Sequence, residues 1–163
     1  MGNVHLICGA LGAGKTTYAE ALAKQVQGLC LSTDDWMATL FHPDRPASHG
    51  FEWALERMLR IEAQMWHVAE PLLARGVPVV FDSGLPRSED RDRWRWHALE
   101  IGGSPKLHYL DVDIDLRRSR VRKRNEERGP TFAFEVSDAM FDYMEGWFEA
   151  PTDDELYEAM VVG

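Results

Sequence analysis

With 163 residues, 45% hydrophobic and 28% charged, the chain has the length and composition of one ordinary globular domain, and disordered, collagen-like and disulfide-scaffold classes are excluded. Eighteen Lys and Arg against 27 Asp and Glu leave a formal charge of −9, so broad coating of nucleic acid would run against the summed field. No apolar run reaches the ~18 residues of a membrane span, the start lacks a signal-peptide pattern, and Cys8 and Cys30 sit in apolar stretches without zinc-type spacing. The expectation is a single domain over residues 1–163, reduced, cytoplasmic and unattached to membrane.

In chain order, the first β-rich run is Val4-His5-Leu6-Ile7-Cys8, and a glycine cluster follows it. Tyr18, Leu22 and Val26, with Ala19 and Ala23 beside them, then give one apolar helical face. Leu29-Cys30-Leu31 is the second run. The segment from His42 to Gly50 has two prolines, a glycine and two histidines without a period, which predicts a surface loop. From Phe51 to Arg75, Met58, Ile61, Met65, Ala69 and Leu72 keep helical spacing until Gly76, with a kink expected at Pro71. Further β-rich runs are expected at Val77 to Phe81, Leu107 to Leu110 and Met160-Val161-Val162. Five short strands alternating with helices predict an α/β fold with a parallel sheet covered by helices.

Gly9-Ala10-Leu11-Gly12-Ala13-Gly14-Lys15-Thr16, followed by Thr17, matches G-x-x-x-x-G-K-[ST] in full and lies between a strand and an amphipathic helix, where that motif belongs. Glycines let main-chain N–H groups wrap a phosphate, and the helix N-terminus adds roughly half a positive charge. Lys15 is expected to reach the β- and γ-phosphates and Thr16 to offer its hydroxyl to Mg²⁺. The ligand expected is Mg-ATP.

The second strand ends Ser32-Thr33-Asp34-Asp35-Trp36, at the edge where ligands of open α/β folds bind. Such a pair either supplies a catalytic base or caps the next helix. The third strand ends Val79-Val80-Phe81-Asp82, and Ser83 follows where a water-activating Glu stands in hydrolysing ATPases of the AAA or helicase type. Its absence argues for transfer to an acceptor other than water. Arg87, Arg91, Arg93 and Arg95 come next, interleaved with Glu89, Asp90 and Asp92; Arg91 aside, they read as a solvated, self-paired helix face.

From Leu116 to Asn125 six positive charges crowd an otherwise acidic chain. On a helix Arg117, Arg120 and Arg124 share one face, and Arg118 and Arg122 form another row. The first face can close over phosphates, and a lid carrying Arg120 and Arg124 would stabilise the charge of transfer while excluding water. The lid is placed at about 114–135, with a turn over Glu126 to Thr131 and a bulky apolar helix region from Phe134 to Phe148.

Together these motifs resemble the small P-loop kinases of the zeta-toxin, chloramphenicol phosphotransferase and polynucleotide kinase-like group, within the AAA-type ATP-binding proteins. The resemblance implies a three-layer fold with a five-stranded parallel sheet, helices on both faces and an Arg-rich lid. It implies that Asp34, or failing it Asp35, takes the proton of the acceptor hydroxyl. Asp82 with Arg91 and Trp94 is similar to the family's acceptor-facing or base-supporting region, and Asp82 is also a candidate to hold a Mg²⁺-bound water. Met37 stands where polynucleotide kinases often have Arg, which points away from a nucleic-acid acceptor. The run Glu149 to Glu155 looks like an acidic turn of the same group and receives no role.

Trp36 and the stretch from Phe41 to Trp53 border the expected base; Asp35 and Trp36 there, with Asp82 and Arg91 as the resemblance implies, are the candidate acceptor contacts. The function expected is transfer of the γ-phosphoryl group of ATP to a hydroxyl of a small molecule. A nucleic-acid 5′-hydroxyl kinase, or a nucleotide-dependent switch acting through a partner, are the alternatives.

Overall fold

The computed structural model describes residues 2–48, 50–129 and 135–163. The chain runs β1 (Asn3–Cys8), α1 (Lys15–Gln25), β2 (Leu29–Ser32), α2 (Thr33–Leu40), a 3₁₀ turn (His42–Asp44), α3 (Phe51–Ala74), β3 (Val79–Asp82), α4 (Ser88–Glu100), β4 (Ser104–Leu110), α5 (Ile114–Glu127), α6 (Asp138–Trp147), α7 (Asp153–Glu158) and β5 (Met160–Val162). The strands form one all-parallel sheet in the order β2-β3-β1-β4-β5.

β1 lies at the centre and is apolar from Val4 to Cys8 save for His5, because both of its faces are covered. Val4, Leu6 and Cys8 join Val79 and Phe81 in a core closed by Ile61, Met65, Ala69 and Leu73 of α3 and by Trp94 and Ala98 of α4. Ile7 and Val80, which alternate with them, face Ala19, Leu22 and Ala23 of α1. The same strands therefore feed two cores, and the three-layer α/β arrangement follows from the period of two. Burying each Leu-, Ile- or Phe-sized side chain contributes about 1.5–3 kcal/mol.

Three details depart from the periodic reading. Met58, expected on the buried face of α3, is 44% exposed, and Leu73 rather than Leu72 is the fully buried residue near its end. Pro71 lies inside α3 without ending it. β4 starts at Ser104, before the expected Leu107, and includes Pro105. That proline is tolerated because β5 pairs only with His108 to Leu110, so beside Pro105 only β1 needs a ladder partner. No helix among the described residues is long and apolar enough to cross a membrane.

Candidate functional site at the carboxyl edge of the sheet

The glycine-rich loop from Gly9 to Gly14 turns between β1 and α1, with Gly12 and Gly14 in the left-handed region at φ 80° and 92°. Those angles explain the glycines. Gly14 is the N-cap of α1 and provides no side-chain cap, so the first-turn N–H groups of α1, at Lys15, Thr16 and Thr17, are left for an anion. Lys15 donates to Ala10 O at 3.1 Å along the same loop. Burial lowers the Lys15 ammonium, and the charges of Asp82 and Asp34 oppose that shift.

Thr16 Oγ1 donates to Asp82 Oδ2 at 2.7 Å, and Ser32 Oγ reaches the same oxygen at 3.5 Å. Register explains the second contact, because Ser32 on β2 pairs with Asp82 on β3. Burial raises the Asp82 carboxyl, opposed by the Thr16 hydrogen bond and the Lys15 charge. Thr33 donates to Ser83 at 2.9 Å, so the position of the missing Glu is tied to the first residue of α2. Among the described residues no group of three or more His, Cys, Asp and Glu could hold a metal ion by itself. Thr16 and Asp82 offer two hard oxygens side by side, a set that suits Mg²⁺ only when phosphates complete it.

Capping at the end of β2 falls to Ser32, whose hydroxyl accepts from Asp35 N at 3.4 Å. Asp34 and Asp35 occupy the first turn of α2 and are exposed, and the Asp34 carboxylate has no hydrogen-bond partner among the described residues. Trp36, expected to border an acceptor pocket, is half-buried and packs against the main core.

The arginine helix is divided in its loyalties. Arg117 is 5% exposed and donates to both oxygens of Glu145 at 2.6 and 2.7 Å, to Val112 O and to Leu11 O. It therefore does not join a face free for phosphate, a correction to the shared row expected with Arg120 and Arg124. Arg118 pairs with Asp142 and lies over the Phe141 ring, and Arg122 pairs with Asp138. α6 is thus the counter-charge of α5. Arg120 points the other way, donating to Ala13 O at 3.3 Å. Arg124 keeps a buried Nε without a partner among the described residues.

α5 rests directly on the loop. A Cβ on Gly12 would meet Arg117 O at 2.6 Å, and Leu11 packs against a small core of Val121, Val136 and Phe141. Of the expected lid and apolar region, Thr131 and Phe134 lie outside the described residues; α6 begins at Asp138.

Arg91, expected to face an acceptor, is 3% exposed and turned inward. Its Nε and Nη2 donate to Glu155 at 2.6 and 3.0 Å, and its Nη1 donates to Glu149 O at 2.9 Å and Leu85 O at 3.2 Å. Every donor named is spent within the fold, which removes it from acceptor contact. The neighbouring arginines find partners beyond α4, Arg87 with Glu149, Arg95 with Glu158 and Arg93 with Glu62, and Arg93 also pairs with Asp90 of its own helix. Glu149 also accepts from Ser88 N at 3.0 Å, a cap for α4 supplied from outside the helix.

Glu145, Glu149, Glu155 and Ser32 were thus missed from the sequence. Only a local signal was present for one of them, the Thr152-x-x-Glu155 capping box that opens α7.

Residues 4–151 match the AAA domain family. The chain belongs to that family. Its sheet and helices match those of small P-loop kinases. A putative kinase from Chloroflexus aurantiacus superposes with a TM-score of 0.75 at 19% identity, over 99% of this chain and 84% of that one. Kti12 from Chaetomium thermophilum, solved with ADP-AlF3, gives 0.72 at 13% identity over 98% and 88%. A gluconokinase from Sinorhizobium meliloti gives 0.63 at 17% identity over 99% and 81%. No curated protein matches the chain.

Proposed function

We propose that this protein is an ATP-dependent phosphotransferase that moves the γ-phosphoryl group to a hydroxyl of a small molecule. The observation that carries the reading is one convergence. The Gly9–Thr17 loop, with Lys15, opens beside the unclaimed Asp34 carboxylate and under Arg120. The neighbours whose names say kinase support it, as does Ser83 in place of a water-activating Glu.

In this reading the main-chain amides from Gly9 to Thr17 hold the phosphates and Lys15 neutralises the β- and γ-oxygens. Thr16 and Asp82 would hold a Mg²⁺ ion, which would supply positive charge against the charge that develops during transfer. The acceptor oxygen attacks the γ-phosphorus, the bond to the β,γ-bridging oxygen breaks, ADP leaves, and the hydroxyl proton passes to Asp34. Arg120 and Arg124 stabilise the equatorial oxygens from α5. Asp35, at the mouth, faces the acceptor. The whole chain acts as one domain in the cytoplasm, of the zeta-toxin and chloramphenicol phosphotransferase type, with a small acceptor rather than a nucleic acid.

The test is a screen of small hydroxyl compounds, with a 5′-hydroxyl oligonucleotide as a separate arm, for ADP release and a phosphorylated product. One small-molecule class should accelerate release. Acceleration by the oligonucleotide alone would make the protein a nucleic-acid kinase. A flat response throughout would favour a nucleotide-dependent switch, a reading that the docking of α5 and α6 on Leu11 to Ala13 also suits.

A further inference from the structure

We infer that Arg91 and Glu155 form a positioning pair that sets Lys15 through the turn after β3, an inference that rests on the nucleotide-cradle reading of the loop. Arg91 is buried and Glu155 half-buried beside it, and the guanidinium meets the carboxylate through two bonds, at 2.6 and 3.0 Å. Such a fork fixes the plane of the arginine as well as its place. Burial works against the Glu155 charge, yet the Arg91 and Thr152 hydrogen bonds hold its carboxyl below the usual range.

Held in that plane, Nη1 donates to Leu85 O at 3.2 Å. Leu85 has φ 45° and follows Gly84 at φ 72°, a left-handed pair that a leucine does not adopt without outside support. The support is visible: Leu85 N donates to Ser83 O at 2.8 Å, Cys8 Sγ donates to Leu85 O at 3.6 Å, and the leucine side chain is 2% exposed in the main core. The strained turn then touches the phosphate cradle twice. Gly9 N donates to Gly84 O at 3.4 Å, and a Cβ on Gly84 would lie 3.6 Å from Lys15 Cε.

The path therefore runs from α7 through Arg91 to Leu85 O, and from Gly84 to the lysine stem and the first glycine of the loop. It gives the acidic segment from Glu149 to Glu155 a use beyond tying down the end of the fold. Glu149 O is the second acceptor of the same Nη1, so the segment holds the arginine from two points.

The experiment titrates the full chain with Mg-ATP by calorimetry, at a temperature where each variant is folded. It also follows amide hydrogen exchange without nucleotide over residues 8–16, 83–91 and, as reference, 58–70. Glu155→Gln and Arg91→Lys should each weaken Mg-ATP at least fivefold and speed exchange over 83–91 and 8–16 while 58–70 stays as in wild type. Ile61→Val, a core change on α3, should lower stability without moving the affinity. Glu155→Asp keeps the charge and should recover part of the loss; it also carries the test if Glu155→Gln does not fold.

Wild-type affinity in both folded variants, with exchange over 8–16 unchanged from wild type, overturns the inference. If the wild type does not bind Mg-ATP, or Lys15→Ala binds it as well as wild type, the nucleotide reading fails. The exchange arm then still decides the connection: faster exchange over 8–16 in Glu155→Gln keeps it, and no change there ends it.

Discussion

Asp34 and Asp82 stand at the ends of neighbouring strands and differ in what already holds them. Asp82 is buried and accepts from Thr16 and Ser32, whereas Asp34 is exposed with an unclaimed carboxylate. A group that must take a proton during transfer is better kept free, so the replacement Asp34→Asn should spare nucleotide binding and slow transfer by about 10² or more. Steady-state rates alongside a calorimetric titration check both halves; wild-type turnover would move the base to Asp35. At this scale the sequence told most where the chemistry is contiguous. Gly9 to Thr17 is one run whose spacing fixes its geometry, so it could be read directly. Arg91 could not, because its partner lies 64 residues away and no local period announces the pairing.

Helix α5 shows how an element can be legible in kind and illegible in orientation. Its composition announced a basic helix, and the i,i+4 spacing put Arg120 and Arg124 together, but which row met the loop depended on α6. Asp138, Asp142 and Glu145 repeat with helical spacing and claim Arg122, Arg118 and Arg117. Of the remaining row, Arg120 is turned to Ala13. Gly12 is where this docking is narrowest: it sits at φ 80°, and a Cβ would press on Arg117 O at 2.6 Å. Gly12→Ala should therefore cost roughly 1–3 kcal/mol and loosen α5 from the loop. A thermal melt would register the first effect, and faster amide exchange in α5 the second.

Across the whole molecule, a polar ladder crosses the face of the sheet under α1. His5 Nδ1 and His108 Nε2 are 2.9 Å apart, and His108 Nδ1 is 2.9 Å from the Tyr18 hydroxyl, which also touches Met160 Sδ. One proton between the facing ring nitrogens completes the ladder, and a second would set two N–H groups against each other. Burial, then His5 and Lys106, push His108 down to about 4, and burial with Lys106 lowers His5. Because the folded value lies below the ordinary one near 6.5, the unfolded chain takes up a proton that the native protein refuses. The stability is complete above about pH 6.5 and drains as pH falls toward 4, by at most about 1.4 kcal/mol per pH unit for this group. Urea midpoints at pH 7.5 and 5 should show the fall, and His108→Asn should flatten it. The histidines were invisible as a pair in the sequence because strand pairing alone brings β1 and β4 together. That pairing order has a consequence for synthesis on the ribosome. The glycine-rich loop is translated before β3 and β4, on which its central strand waits, and the carboxylate that clamps Arg91 emerges after both. A nascent chain thus carries its glycine loop unbraced until Glu155 has emerged, and the bracing of that loop arrives all at once.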